Sequence, residues 1–467
     1  MKKRAKLIFL GLTTIMIMTF CKQPQPVETG FTGAQGEVQL ITLAPGHFHA
    51  YLVQKSMYDQ VDPVVHIYAP EGPEVESHIA MIESYNNRPD DPTSWELVVY
   101  TGPDYLERMI AENRGNVVMV AGNNQRKTHY IKTAIENGFN VLSDKPMVIN
   151  SENFEILKEA FQLAETNGLL LYDIMTERYS ITSALQKELM HIPGIFGELQ
   201  KGSVDDPAIV KESVHHLFKY VSGSVLRRPP WFFDVTQQGE GIIDVTTHLV
   251  DLIQLSCFPG QILDYRQDIE MLSARRWPTE VTRSQFESIT RVSDFPEYLS
   301  HNVVNDTILQ VYCNGEMNYT LKGIHARVSV KWDYEAPEGT GDTHYSIARG
   351  SKANLVIRQG VEENFKPVLY IEPLAHIDLE AYEAGLPEAF ASAQEKYPGI
   401  SIEPHGQGWV VNVPDHYDVG HEAHFAQVTA KYLGFLIDGK LPDWEVPNML
   451  AKYYTTTRAL EMALENK

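Results

Sequence analysis

The chain has 467 residues, 43% of them hydrophobic, and a formal net charge of −22. That length exceeds what one core fills, about 250–300 residues, so two or more domains are expected, and the apolar content excludes a disordered chain. The acidity excludes a nucleic-acid partner, whose phosphates need a basic surface, and three cysteines (Cys21, Cys257, Cys313) cannot build a disulfide framework.

The first 21 residues are a basic MKKRAK, an apolar LIFLGLTTIMIMTF and Cys21, with the polar KQPQPVETG beyond. The apolar run is too short for a comfortable membrane span and reads as a secretory signal. A cysteine directly after it resembles a bacterial lipoprotein signal, in which Cys21 would carry the lipid, although Met18-Thr19-Phe20 departs from the usual small residue before it. The expectation is an exported protein, periplasmic or associated with the outer membrane. It would touch a membrane only through the anchor at Cys21, with residues 22–36 as a linker.

From residue 37 to 175, apolar runs alternate with helical periodicity. VQLITLA (38–44), VVHIYA (64–69), WELVVYTG (95–102), NVVMVAG (116–122), FNVLSDKP (139–146) and LLLYDIM (169–175) read as strands. AYLVQKSM, PDYLERMIAEN, QRKTHYIKTAIENG and SENFEILKEAFQLAETNG read as helices, the last with Ser151 as N-cap and Gly168 as stop. Pro70–Ser94 interrupts the rhythm with an extra helix or a long loop. Continuous apolar strands separated by helices imply a parallel sheet covered on both faces, a doubly wound Rossmann-like domain. In residues 176–467, QVYCN, MNYTLKGI, RVSVKWDY, ANLVIRQG, PVLYIE and WVVNV alternate polar and apolar residues, and two helical segments close the chain. This predicts an α/β second domain, for substrate and oligomer contacts, on an open, mostly antiparallel sheet.

Two stretches carry chemistry. Ser143-Asp144-Lys145-Pro146-Met147 ends the fifth strand, where doubly wound sheets bind ligands, and Pro146 pushes Lys145 toward an extended conformation. In GEGIIDVTTHLVDLI, Asp244, His248 and Asp251 fall at i, i+4 and i+7, which predicts one shared polar helix face. A carboxylate one turn from a histidine can orient the ring and raise its pKa for proton transfer.

These two motifs, in this order, resemble the Gfo/Idh/MocA oxidoreductases, whose E-K-P tripeptide reads Asp144-Lys145-Pro146 here and whose D-x-x-x-H motif reads Asp244 to His248. The resemblance is good over residues 38–260 and extends beyond only in layout. It implies NAD or NADP as cofactor and hydride transfer on a small sugar or polyol. Lys145 and His248 would handle the hydroxyl proton, and Asp244 would position the substrate or the histidine. It also places Asn123 and Asn124 in the loop that approaches the cofactor and implies a homo-oligomer paired through the second sheet. Arg178, Arg227, Arg228 and Trp231 are candidates to line the substrate pocket.

The dinucleotide loop departs from that pattern. Ala44-Pro45-Gly46-His47-Phe48-His49 keeps the glycine for pyrophosphate approach, replaces the first by Ala44 and the third by His49, and would hold the helix further from the sheet. The acidic residue expected at the end of the second strand is absent, Glu71 lying just beyond. His47 and His49, or His416, His421 and His424, suggest a metal, but no carboxylate spacing completes either set, so no metal is expected. His344 or His421 is a further candidate to reach the cleft. Three functions compete: an exported oxidoreductase of carbohydrates; a glycoside-cleaving enzyme that oxidises a sugar carbon transiently, eliminates and returns the hydride; and a sugar-binding protein with a degenerate cofactor loop.

Overall fold

The computed structural model describes residues 30–466 apart from 222, 223 and 339; the signal segment and Cys21 lie outside the described residues. The first sheet comprises β1 (Leu40–Leu43), β2 (Val64–Ala69), β3 (Glu96–Thr101), β4 (Val117–Val120), β5 (Asn140–Asp144) and β6 (Leu171–Ile174). All neighbours are parallel, in the order β3-β2-β1-β4-β5-β6, the doubly wound arrangement expected. The helices between them are α1 (His49–Val53), α2 (Pro73–Asn87), α3 (Tyr105–Glu112), α4 (Asn124–Glu136) and α5 (Ser151–Asn167). α2 is the helix that fills the interrupted segment, opened by Pro73, whose missing N–H costs nothing at a first helical position. Ser151 is not the cap of α5. Asn150 is, its Oδ1 accepting from the Asn153 amide at 2.8 Å, and Gly168 ends the helix at φ 66°.

The second sheet runs Ile269–Thr282, Ile308–Leu321, Ile324–Glu335, Ile209–Phe218, Thr343–Arg349, Ala353–Arg358, Val368–Pro373, Gly408–Asn412, Ser401–His405. Only Ile324–Glu335 and Ile209–Phe218 pair in parallel on this path. Four of these strands, 209–218, 269–282, 343–349 and 401–405, escaped the sequence reading because their charged and aromatic residues blur the alternation. On this sheet lies the helix Thr246–Cys257, and the turn before it meets the strand backbone to backbone. A Cβ on Gly241 would stand 1.7 Å from the Cys313 carbonyl oxygen, and one on Gly315 2.4 Å from Ile242 Cβ. These two hydrogens for side chains fix where Asp244 emerges.

The last two helices return to the first domain. Phe425, Val428, Tyr432 and Leu433 of His421–Asp438 share one buried core with Leu40, Leu43, Val117 and Leu142. Glu445–Glu465 carries a fully buried cation, Lys452, whose Nζ lies 2.7 Å from Asp173 of β6 and 2.9 Å from Asp251 of Thr246–Cys257. Asp251 also accepts both Nε and Nη2 of Arg178 at 2.7 Å, and Arg178 Nη1 donates to Glu445 at 2.9 Å.

Two stability outcomes follow from this packing. Lys452→Met would leave Asp173 without its cation in a dry interior, so a loss of about 3–5 kcal/mol is expected in urea or thermal unfolding. Gly241→Ala forces the turn off the strand, and a fall in the unfolding midpoint is expected with Asp244 displaced; unchanged unfolding would refute the contact.

Candidate active site

The site forms where the carboxyl ends of β1, β4 and β5 meet the turn before Thr246–Cys257. The β1 turn is sewn to the β4 turn: the Gly46 and His47 amides both donate to the Ala121 carbonyl, at 3.1 and 3.3 Å. Ala44 takes the left-handed φ of +46° that a glycine usually supplies. The close backbone approach is made by Gly122, where a Cβ would stand 2.3 Å from the Ala44 oxygen. His49 is not a spacer between helix and sheet. α1 is only five residues long, and the buried ring turns to Asp144 and to Phe425, 4.6 Å between centroids.

Above this turn is a cavity lined by Gly46, His47, Glu74, His78, Arg228 and Trp231 among others. Its features suit a dinucleotide. Gly46 lies close beneath the cavity, a Cβ there coming into ordinary contact with Gly122 at 3.4 Å and Trp231 at 3.5 Å. His78 is buried with neither ring nitrogen hydrogen-bonded, and burial pushes its pKa down to about 4. Glu71 is exposed, while Glu74, one turn on, reaches the cavity and accepts from Trp231 Nε1 at 3.1 Å. Asn123 caps α4 through the Gln125 amide and donates to Gln237, while Asn124 donates to the Gln238 carbonyl at 2.6 Å. Both asparagines therefore bridge the two domains.

Lys145, after β5 and joined to Pro146 by a cis peptide bond, donates to Asp244 Oδ1 at 2.6 Å. Gln238 Nε2 donates to Asp244 Oδ2 at 3.2 Å. Burial opposes charge on Asp244, yet Lys145 holds its carboxyl below the usual range. His248 lies beside them, buried, its Nδ1 without a partner. Burial, then the Lys145 charge, drives the ring well below the ordinary histidine value. This corrects the expectation of a carboxylate raising that pKa. Asp244, just before the helix, is bonded to Lys145, and Asp251 to Arg178 and Lys452.

Arg178 is likewise no substrate residue: every guanidinium nitrogen is spent on Asp251, Glu445 or Tyr172. Arg228 is buried, donating to the Leu217 and His216 carbonyls and lying 4.3 Å over the Phe232 ring. It braces the cavity wall beneath Trp231 instead of presenting a free cation.

Three groups were not foreseen. Lys127 of α4 is fully buried, its Nζ 3.2 Å from the Asp144 carbonyl oxygen, and burial lowers its pKa to about 8. His215 accepts or donates at Ser213 Oγ (2.7 Å) and at Asp342 Oδ2 (3.1 Å), with its ring stacked on Trp332. Asp342 also gathers His216 at 3.1 Å and Lys219 at 2.6 Å. The Lys145 charge acts on both His215 and Lys219. Strand alternation puts Ser213 and His215 on one face, but nothing in spacing reveals Asp342. Nor did spacing reveal the carboxylate for the loop histidines: Asp144 places Oδ2 3.2 Å from His47 Nδ1 and Oδ1 2.7 Å from His49 Nδ1. His421 stands 3.4 Å from Thr176 Oγ1, and burial takes His344 down to about 3.

Residues 43–173 match the oxidoreductase family with an NAD-binding Rossmann fold, and residues 185–464 match the family described as "Putative oxidoreductase C terminal domain". A crystal structure of a "putative oxidoreductase" from Parabacteroides merdae is 56% identical, with a TM-score of 0.92 over 94% of this chain and 100% of that one. Levoglucosan dehydrogenase with NADH and levoglucosan (12% identical, TM-score 0.56, 92% and 98% covered) shares the fold. So does a 3-ketoreductase from Actinomadura kijaniata with NADP and TDP-benzene (14%, 0.54, 91% and 98%). No curated protein matches the sequence. The chain therefore belongs to the Gfo/Idh/MocA family and is an NAD(P)-dependent oxidoreductase.

Proposed function

We propose that the protein oxidises or reduces a carbohydrate or polyol at a secondary hydroxyl or ketone. The observation that carries this is the buried Lys145–Asp244 pair beside the unpartnered Nδ1 of His248, at the strand ends where the nicotinamide of this family would lie. Bound nicotinamide supplies the hydride acceptor or donor. Lys145 donates to the substrate oxygen and stabilises the alkoxide that develops there. The neutral His248 ring takes the hydroxyl proton in oxidation and returns it in reduction. Asp244 keeps Lys145 aimed. The Asp342-held His215, near enough to feel the Lys145 charge, would serve as a second proton-handling group. This supports a second reading, glycoside cleavage through a transient ketone, because elimination needs a proton removed from carbon and one given to the leaving oxygen. A sugar-binding protein without chemistry would need neither set. The exported state, with Cys21 lipidated, is part of the same proposal and suits an enzyme that meets external glycans; incorporation of labelled fatty acid, lost in Cys21→Ala, would check it.

Lys145→Ala or His248→Ala is expected to lower turnover by about 10²–10⁴-fold with folding intact; near-normal rates would reject the roles given. Since His248 titrates well below its ordinary value, the oxidation rate should hold as pH falls through 6.5, and an acid limb near 6.5 would contradict the assignment. Glu74 beside the loop disfavours a 2′-phosphate, so NAD is expected to bind more tightly than NADP. Glu74→Gln should narrow the gap, read as bound nucleotide after denaturation. Glycoside turnover without net NADH would favour the second reading.

A further inference from the structure

The groups around the β1 turn do more than cradle a dinucleotide: we infer that His47, His49 and Asp144 form a binding site for a first-row divalent metal ion such as zinc. Their ligand atoms all lie within 4.8 Å of one another, contributed by two elements 95 residues apart in sequence. Two imidazoles and one carboxylate, with remaining positions open, suit a borderline transition ion; magnesium or calcium would want an all-oxygen set.

The local geometry presents the three groups together. With Phe48 alone between them, the two histidine rings stand nearly perpendicular (81°), 4.1 Å apart, both with Nδ1 toward Asp144. His49 and Asp144 are buried, while the His47 ring remains 18% exposed on the cavity and gives an ion its way in. Both ring nitrogens face the same carboxylate, His49 Nδ1 on Oδ1 at 2.7 Å and His47 Nδ1 on Oδ2 at 3.2 Å. Two imidazoles and a carboxylate gathered so closely are placed as ligands of one cation would be.

Lys127 is the competitor. Its Nζ is 3.8 Å from Asp144 Oδ2, the positive charge an ion would have to work against. Removing it should strengthen metal binding, an effect no purely structural role for the histidines would produce.

The test uses the full mature chain purified without a histidine tag. Metal content is read by plasma mass spectrometry, and the chelator-treated protein is titrated with Zn²⁺ alone. About one equivalent bound saturably is expected. His49→Ala should lose at least about tenfold in affinity, as should Asp144→Asn, and Lys127→Met should gain. His416→Ala, remote from the turn, should match wild type. Absence of saturable uptake by both wild type and Lys127→Met would overturn the site, as would uptake indifferent to His49→Ala. Uptake is measured without turnover, so the outcome stands apart from the fate of the proposed hydride transfer.

Discussion

The joint between the domains is a buried knot of charge: Lys452 between Asp173 and Asp251, with Arg178 closing onto Asp251 and Glu445. It draws on the end of β6, the turn after it, the helix Thr246–Cys257 and the last helix of the chain. Five ionisable side chains in a dry interior have few acceptable arrangements, because each lost partner leaves a charge with no water to solvate it. Burial alone would raise the Glu445 pKa, and Arg178 opposes that rise. A knot so constrained fixes the pitch and position of Thr246–Cys257. Asp244, seven residues before Asp251, is thereby delivered to Lys145 from the other domain.

The site chemistry follows from which polar groups the fold satisfies and which it does not. Arg178 and Asp251 have every direction filled, so they hold the frame. His248 Nδ1 and both nitrogens of His78 are buried without hydrogen bonds. Such groups cost free energy in an empty fold and regain it when a ligand supplies the missing partner. They lie at the cavity above the dinucleotide turn and beside Lys145, the surfaces that a cofactor or a substrate would meet.

Much of the first domain was legible in the sequence. Its strands are continuous apolar runs, its helices are capped, and the Lys145 and Asp244–His248 motifs stand at fixed places on that frame. What stayed hidden was pairing at long range. Asp342 reaches His215 from 127 residues away, and Asp144 reaches His49 from 95. Lys127 is fully buried in α4, and nothing in the helical pattern marks it as such. The reading of Arg178 as a pocket residue failed for the same reason: an arginine at a strand end is free or spent according to a partner that periodicity does not show.

The dinucleotide turn shows how a fingerprint can be rebuilt from other parts. Close backbone approach is supplied from the neighbouring strand by Gly122, so the turn itself needs fewer glycines. The left-handed residue is Ala44, held there by its amide donating to the Tyr68 carbonyl at 2.8 Å and its oxygen against Gly122. With α1 cut to five residues, the third glycine's task of helix–sheet contact falls away. The position is then free for a side chain that reaches β5. Two histidines take that freedom and turn to Asp144, the residue before the lysine that the chemistry requires. The departure from the glycine pattern and the shortening of Glu to Asp in the lysine motif are thus one structural change, seen from two ends of the same contact.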